Sequence, residues 1–316
     1  MKYYVRLASK LFFRKVEVND RSFLDIQGPL LIACNHPNSF LDAVVLDILF
    51  EQPIASLARG DAFINETVSA FMRAVNILPV YRTSEGAQNL QENYKTFDSC
   101  IELFREKGLV LIFSEGLCIN EWHLRPLKKG TARLAFQAWS SGIPLRVLPT
   151  GVNYSSFRRS GKNVQINFGK LITADQIPPG LNEGQQYQAF NSILTDALKQ
   201  LVHEIDPADR SAKTRLLTHP IPKSKRLALY PLSLLGWLTH ALFYLPMKSW
   251  IRRLYGSTGH YDSVLFLALL LFYPVYLLLL FLIAAALFGH LKASLVFIVI
   301  PFLAWCHIQV KDQLEA

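Results

Sequence analysis

The apolar positions of this 316-residue chain fall into two regimes. Up to about residue 225, short continuous apolar runs alternate with longer stretches in which charges recur; beyond it, long apolar runs with few charges dominate. Short apolar runs bounded by turn residues read as buried strands, and they fall at 29–34, 54–58, 77–81, 109–113, 145–152 and 164–168. Helical stretches near 40–50, 61–75, 88–106, 128–141 and 184–204 lie between them. The alternation predicts an α/β fold, a largely parallel sheet with flanking helices, followed by a C-terminal transmembrane helical segment. Ligands of such sheets gather beyond the carboxyl ends of the strands.

In the tail, Ser263 to Leu291 carries no Asp, Glu, Lys or Arg and exceeds the roughly 20 residues that a helix needs to cross a bilayer. Ala293 to Val310 is shorter and equally free of those residues, so the two segments predict a hairpin turning near Gly289-His290. Leu227 to Met247 holds Pro231 and Pro246 and is flanked by Lys223, Lys225 and Arg226 before it and Lys248, Arg252 and Arg253 after it. A crossing would strand one basic cluster on the unfavoured side, so a re-entrant or interfacial helix is expected there. At the other terminus Tyr4, Leu7, Ala8, Leu11 and Phe12 fall at helical spacing, while Lys2, Arg6, Lys10 and Arg14 recur every fourth residue. That pattern predicts an amphipathic membrane-surface helix over 1–15. The expected units are thus 1–15, a domain over 16–204, a linker over 205–225 with Pro207, Pro220 and Pro222, and membrane-embedded helices over 226–316.

Charge sharpens the membrane expectation. The formal net charge is +9 and the pI near 9.4, but no nucleic-acid recognition module is apparent, and basic residues beside apolar segments suit anionic lipid head groups. A lipid bilayer is the expected partner and nucleic acid is not. Cys34, Cys100, Cys118 and Cys306 show no paired spacing, which argues against a disulfide framework or a zinc site and for a reduced, cytosol-facing domain.

The candidate chemistry lies in Asn35-His36-Pro37-Asn38-Ser39-Phe40-Leu41-Asp42, directly after the first apolar strand. Pro37 biases His36 toward extended backbone, and Ser39 with Asp42 three residues on forms a capping-box pattern ahead of an apolar helix. His36 then sits in the loop and Asp42 in the first helical turn. A carboxylate on one imidazole nitrogen fixes the tautomer, so that the other nitrogen accepts a proton near neutral pH. The same spacing also fits a helix-capping aspartate beside a polar loop histidine, and pattern alone leaves both open.

This segment resembles the glycerolipid acyltransferase family, whose first block is usually Asn-His, four residues, Asp. Here five residues intervene, as in a His-x-Asn-x-Phe-x-Asp variant matched by His36, Asn38, Phe40 and Asp42. Ile77-Leu78-Pro79-Val80-Tyr81-Arg82 is similar to the family's second block, with Arg82 at the position of an acceptor-contacting arginine. Phe113-Ser114-Glu115-Gly116-Leu117-Cys118 is similar to the Phe-Pro-Glu-Gly turn but lacks its proline and the arginine that follows. Arg125, Lys128 and Lys129 lie just downstream, and Lys128 matches the lysine of a Pro-Leu-Lys-x-Gly stretch. Val147 to Val152 resembles the final, proline-containing block, with Pro149 expected at a strand end or edge.

The resemblance implies transfer of a fatty acyl group from acyl-CoA or acyl-ACP, a co-substrate rather than a cofactor, to a hydroxyl of glycerol-3-phosphate or a lysophospholipid such as lysophosphatidate. His36 would be the general base, Asp42 its orienter, and Arg82, Glu115, Gly116, Arg125 and Lys128 the acceptor site. No enzyme nucleophile is required. A lyso-aminolipid O-acyltransferase and a non-catalytic membrane lipid-binding scaffold are the alternatives. A lipid hydrolase would need a Gly-x-Ser-x-Gly segment, which is absent. A metal enzyme on His36, Asp42 and His123 would lack paired histidines at ligand spacing.

Overall fold

The computed structural model describes residues 2–60, 63, 66, 69, 70, 72, 76–80 and 87–314, with backbone only for 87–94. The helix expected over 61–75 falls largely outside the described residues, and Arg82 falls wholly outside them.

Helix α1 (Lys2–Phe12) leads straight into β1 (Phe13–Val18), followed by β2 (Leu30–Cys34), α2 (Phe40–Leu49), β3 (Ile54–Arg59), β4 (Ile77–Val80) and α3 (Ala87–Arg105). Then come β5 (Leu109–Phe113), α4 (Gly130–Ser140), β6 (Arg146–Tyr154), β7 (Lys162–Phe168) and α5 (Glu183–Lys199). Among the described residues the sheet has seven strands in the order β1-β7-β6-β2-β5-β3-β4. Strands β6, β2, β5, β3 and β4 are mutually parallel; β7 runs antiparallel to β6, with β1 parallel to β7 at the edge. The carboxyl ends of the five parallel strands therefore open on one edge.

Alternation along β2 divides the core. Leu30, Ile32 and Cys34 join the cluster that includes Leu46, Phe12, Leu265 and Phe266, whereas Leu31 and Ala33 join the opposite cluster with Phe104, Leu134 and Phe190 from α3, α4 and α5. One face of the sheet is thus covered by helices of the α/β domain, and the other by α1, α2 and the tail.

Three features differ from the sequence reading. Residues 13–15, assigned to the amphipathic helix, are already strand, because Phe13 is buried against Phe12 and Phe266. Pro149 lies inside a central strand; the antiparallel ladder with β7 starts one residue later, at Thr150, so the missing N–H breaks no pair there. The 205–225 stretch contains α6 (Arg210–Leu217), whose Ala212 and Leu217 are buried, so it is a docked segment and not a loose linker. Across Pro231 and Pro246 the chain forms one continuous 33-residue helix, α7 (Lys223–Tyr255), about 50 Å long at a rise of ~1.5 Å per residue.

Both halves of α7 touch the domain side. Lys225 Nζ reaches Gln309 Oε1 at 3.4 Å, and Gln309 Nε2 donates to the Arg14 carbonyl. Tyr244 bonds Ser160 at 3.0 Å and Ile251 is fully buried. Helix α8 (Tyr261–Phe288) buries Tyr261, Leu265, Phe266 and Ala268 against the sheet domain. From Leu271 onward it exposes a succession of large apolar side chains. At Gly289, where φ is +81°, the chain turns into α9 (His290–Ala293), and α10 (Val296–Val310) returns to the domain. Three helices, Lys223–Tyr255, Tyr261–Phe288 and His290–Val310, are long and apolar enough to cross a membrane.

Candidate active site

His36 leaves the carboxyl end of β2, and two contacts hold its ring. It stacks on Phe113, with centroids 3.8 Å apart and planes 15° from parallel, and its Nδ1 lies 2.9 Å from Asp42 Oδ2. The same Asp42 oxygen accepts the Asn38 N–H at 2.8 Å. Asp42, in the first turn of α2, is fully buried. Tyr154, at the end of β6, is fully buried too, and burial followed by the Asp42 charge raises its pKa well above that of a free phenol. The Tyr154 phenol lies beside the Asp42 carboxylate, and neither its hydroxyl nor Asp42 Oδ1 has a hydrogen-bond partner among the described residues. With Nδ1 committed to Asp42, His36 presents Nε2 to the adjacent cavity.

The capping box is not formed. Ser39 has φ +54° and makes no side-chain cap bond. Its hydroxyl instead shares a 2.6 Å hydrogen bond with His260 Nδ1, and its N–H donates to Cys118 Sγ at 3.0 Å. Asn35 pins the root of the loop by exchanging two hydrogen bonds with the Val152 backbone.

Glu115 is 4% exposed. Its Oε2 accepts the His36 N–H at 2.8 Å and its Oε1 the Arg125 N–H at 2.9 Å. Burial pushes its pKa up against the pull of those two bonds. Gly116 turns at φ +63°, and an added Cβ would stand 3.1 Å from Lys128 Cγ, so glycine is required where the lysine passes.

A cavity of about 1360 Å³ opens at this edge. His36, Phe40, Phe113, Gly116 and Cys118 line it beside four cations, Arg59, Lys128, Lys129 and Arg133. Lys128 and Gly116 thus line the cavity. Arg125 does not; its guanidinium pairs with Glu121, four residues back along the chain, at 2.9 Å. Arg59 and Arg133 went unrecognised, although Arg59 directly follows the strand expected over 54–58 and Arg133 follows Lys129 by four residues, on the same face of a helix. Tyr154 and His260 had no sequence signal, being drawn in by tertiary contact. His123 pairs with Glu204, away from His36. Among the described residues no three His, Cys, Asp or Glu side chains gather as a metal site. The four cysteines are free thiols, and burial pushes that of Cys118 up to about 12.

The residues that match a family model, 15–152, contain the His36–Asp42 pair, the Glu115 turn and both loops; the model is described as Acyltransferase. Residues 15–152 are thus similar to an acyltransferase domain. A 1-acyl-sn-glycerol-3-phosphate acyltransferase of Chlamydomonas reinhardtii is 27% identical over 194 residues, 60% of this chain and 55% of that protein. The chain therefore spans about half the length of that relative. A 1-acyl-sn-glycerol-3-phosphate acyltransferase of Bacillus subtilis is 23% identical over 192 residues, 60% of this chain and 90% of that protein. The crystal structure of the 1-acyl-sn-glycerophosphate acyltransferase of Thermotoga maritima superposes with a TM-score of 0.42 at 15% identity, covering 59% of this chain and 72% of that one.

Proposed function

We propose that this protein is a membrane-bound O-acyltransferase that moves a fatty acyl group from acyl-CoA or acyl-ACP to a hydroxyl of glycerol-3-phosphate or 1-acylglycerol-3-phosphate. The observation that carries it is the His36–Asp42 contact of 2.9 Å at the wall of a large cavity that is part apolar and part cationic. The acceptor hydroxyl gives its proton to His36 Nε2 as its oxygen attacks the thioester carbonyl, and Asp42 stabilises the imidazolium. When the tetrahedral adduct collapses, the C–S bond breaks and the departing thiolate takes that proton, leaving ester, thiol and neutral His36. Cys118 takes no part, since a thiol held protonated by burial is a poor nucleophile.

Lys128, Lys129 and Arg133 face the cavity beside the start of α4, whose first turn has no side-chain cap. Unpaired N–H groups at a helix start together with nearby cations suit a phosphate. The cavity exceeds the roughly 300–1,000 Å³ of small-ligand sites, leaving room for an acyl chain beside the head group. The α8–α10 hairpin would anchor the protein. Helix α7, which touches the domain side in both halves and exposes Leu227, Tyr230, Leu234, Leu238 and Leu242, would lie along the membrane surface with the domain on the cytosolic side.

The test is acyl transfer by full-length protein in nanodiscs, offering both thioester donors against glycerol-3-phosphate, lysophosphatidate and an uncharged monoacylglycerol. Transfer to a phosphorylated acceptor is expected. Equal rates on the uncharged acceptor would remove the phosphate site, and transfer to none of them from folded protein would overturn the proposal.

A further inference from the structure

The loop between His36 and Asp42 is not self-supporting. Three of its residues are hydrogen-bonded to the stretch that opens α8, more than 220 positions away. Asn38 Nδ2 donates to Asp262 Oδ2 at 3.3 Å, Ser39 Oγ bonds His260 Nδ1 at 2.6 Å, and Ser263 Oγ accepts the Leu41 N–H at 3.0 Å while donating to the Asn38 carbonyl at 3.2 Å. Asn38, Asp262 and Lys162 are all fully buried, and Lys162 of β7 is ion-paired with Asp262. The Asn38 N–H reaches the same Asp42 oxygen that receives His36 Nδ1. Ser39, between them, holds a left-handed φ that is uncommon for a residue with a side chain, so the loop needs outside contacts to keep its shape.

We propose that Asp262 is a positioning residue for acyl transfer: through Asn38 it fixes the loop that aligns Asp42 with His36, which makes the start of the hairpin part of the active site as well as an anchor. The ion pair with Lys162 holds Asp262 in place, and the membrane hairpin cannot be removed without releasing the loop.

This role rests on His36 being the base, so His36→Ala is the control. Replacing both members of a buried ion pair is tolerated far better than removing one, and it provides matched backgrounds. In nanodisc-bound full-length protein, Lys162→Met/Asp262→Asn keeps an oxygen that can accept from Asn38, whereas Lys162→Met/Asp262→Leu does not. The Leu variant is expected to have kcat roughly 100-fold below the Asn variant, the scale of a displacement of about 1 Å in a catalytic group, with KM within about twofold. Asn38→Ala, which leaves the ion pair intact, is expected to lose kcat in the same way and serves if either double variant does not fold. Equal kcat in the two double variants, a change confined to KM, or full kcat in Asn38→Ala would overturn the inference. If His36→Ala is inert while the double variants match each other, only the positioning role fails; if His36→Ala is active, the base assignment fails with it.

Discussion

The loop after β2 and the loop after β5 each bury a carboxylate beside the same cavity, yet Asp42 gives an oxygen to the imidazole while Glu115 gives both of its oxygens to backbone N–H groups. In the proposed mechanism the first carboxylate acts on the reacting group, while the second sets the path of the chain. Glu115 binds the His36 and Arg125 backbones together, so it fixes where His36 stands and where the Lys128 stretch begins. Burial does not separate the two roles, and neither does a backbone partner, since Asp42 also accepts the Asn38 N–H; what separates them is that Asp42 meets a titratable ring.

That contrast sets out what substitution should do. The largest effect falls on the base itself: His36→Ala is expected to lose roughly 10² to 10⁴-fold in kcat, the usual contribution of a general base, with little change in melting temperature. Asp42→Asn should follow, with a kcat loss of about 10²-fold that leaves acceptor KM unchanged in steady-state assays. Glu115→Ala should differ in kind. It leaves two buried N–H groups unpaired at about 1–3 kcal/mol each, so thermal unfolding should show the loss first, and an intact melting temperature with abolished kcat would break the comparison. Lys128→Met is expected to raise KM for a phosphorylated acceptor roughly tenfold, whereas Arg125→Ala, already paired with Glu121, should stay within about twofold.

The smallest effect is a pH dependence. The Glu115 pKa is raised by burial, so the folded state holds this proton more tightly than the unfolded chain does. Its contribution to stability is complete below the ordinary value of about 4.5 and is lost as pH rises through the raised value. Melting temperature followed upward from pH 4.5 should therefore fall less steeply in Glu115→Gln than in the wild type.

The sheet was legible because its parallel strands, buried on both faces, read as unbroken apolar runs. His36 and Asp42 were legible because one short segment carries both groups at a strand end. Strand β1 was hidden by the amphipathic pattern, which runs on through Phe12-Phe13 without a break. Arg125 pairs with Glu121 outside the cavity lining, and sequence shows the cation but not its partner. Tyr154 and Asp262 were out of reach for a different reason: they meet the His36–Asp42 loop only because β6 and the start of α8 are brought there by the fold.

In the proposed mechanism the acyl group passes straight from thioester to acceptor, with His36 as base and no acyl-enzyme. This is tested by the intact mass of the protein, and the thiol released, after incubation with the acyl donor in the absence of acceptor. Unmodified protein is expected, with thiol released only once acceptor is added. An acylated protein, with the acyl group on Cys118, formed as fast as turnover, would contradict that mechanism.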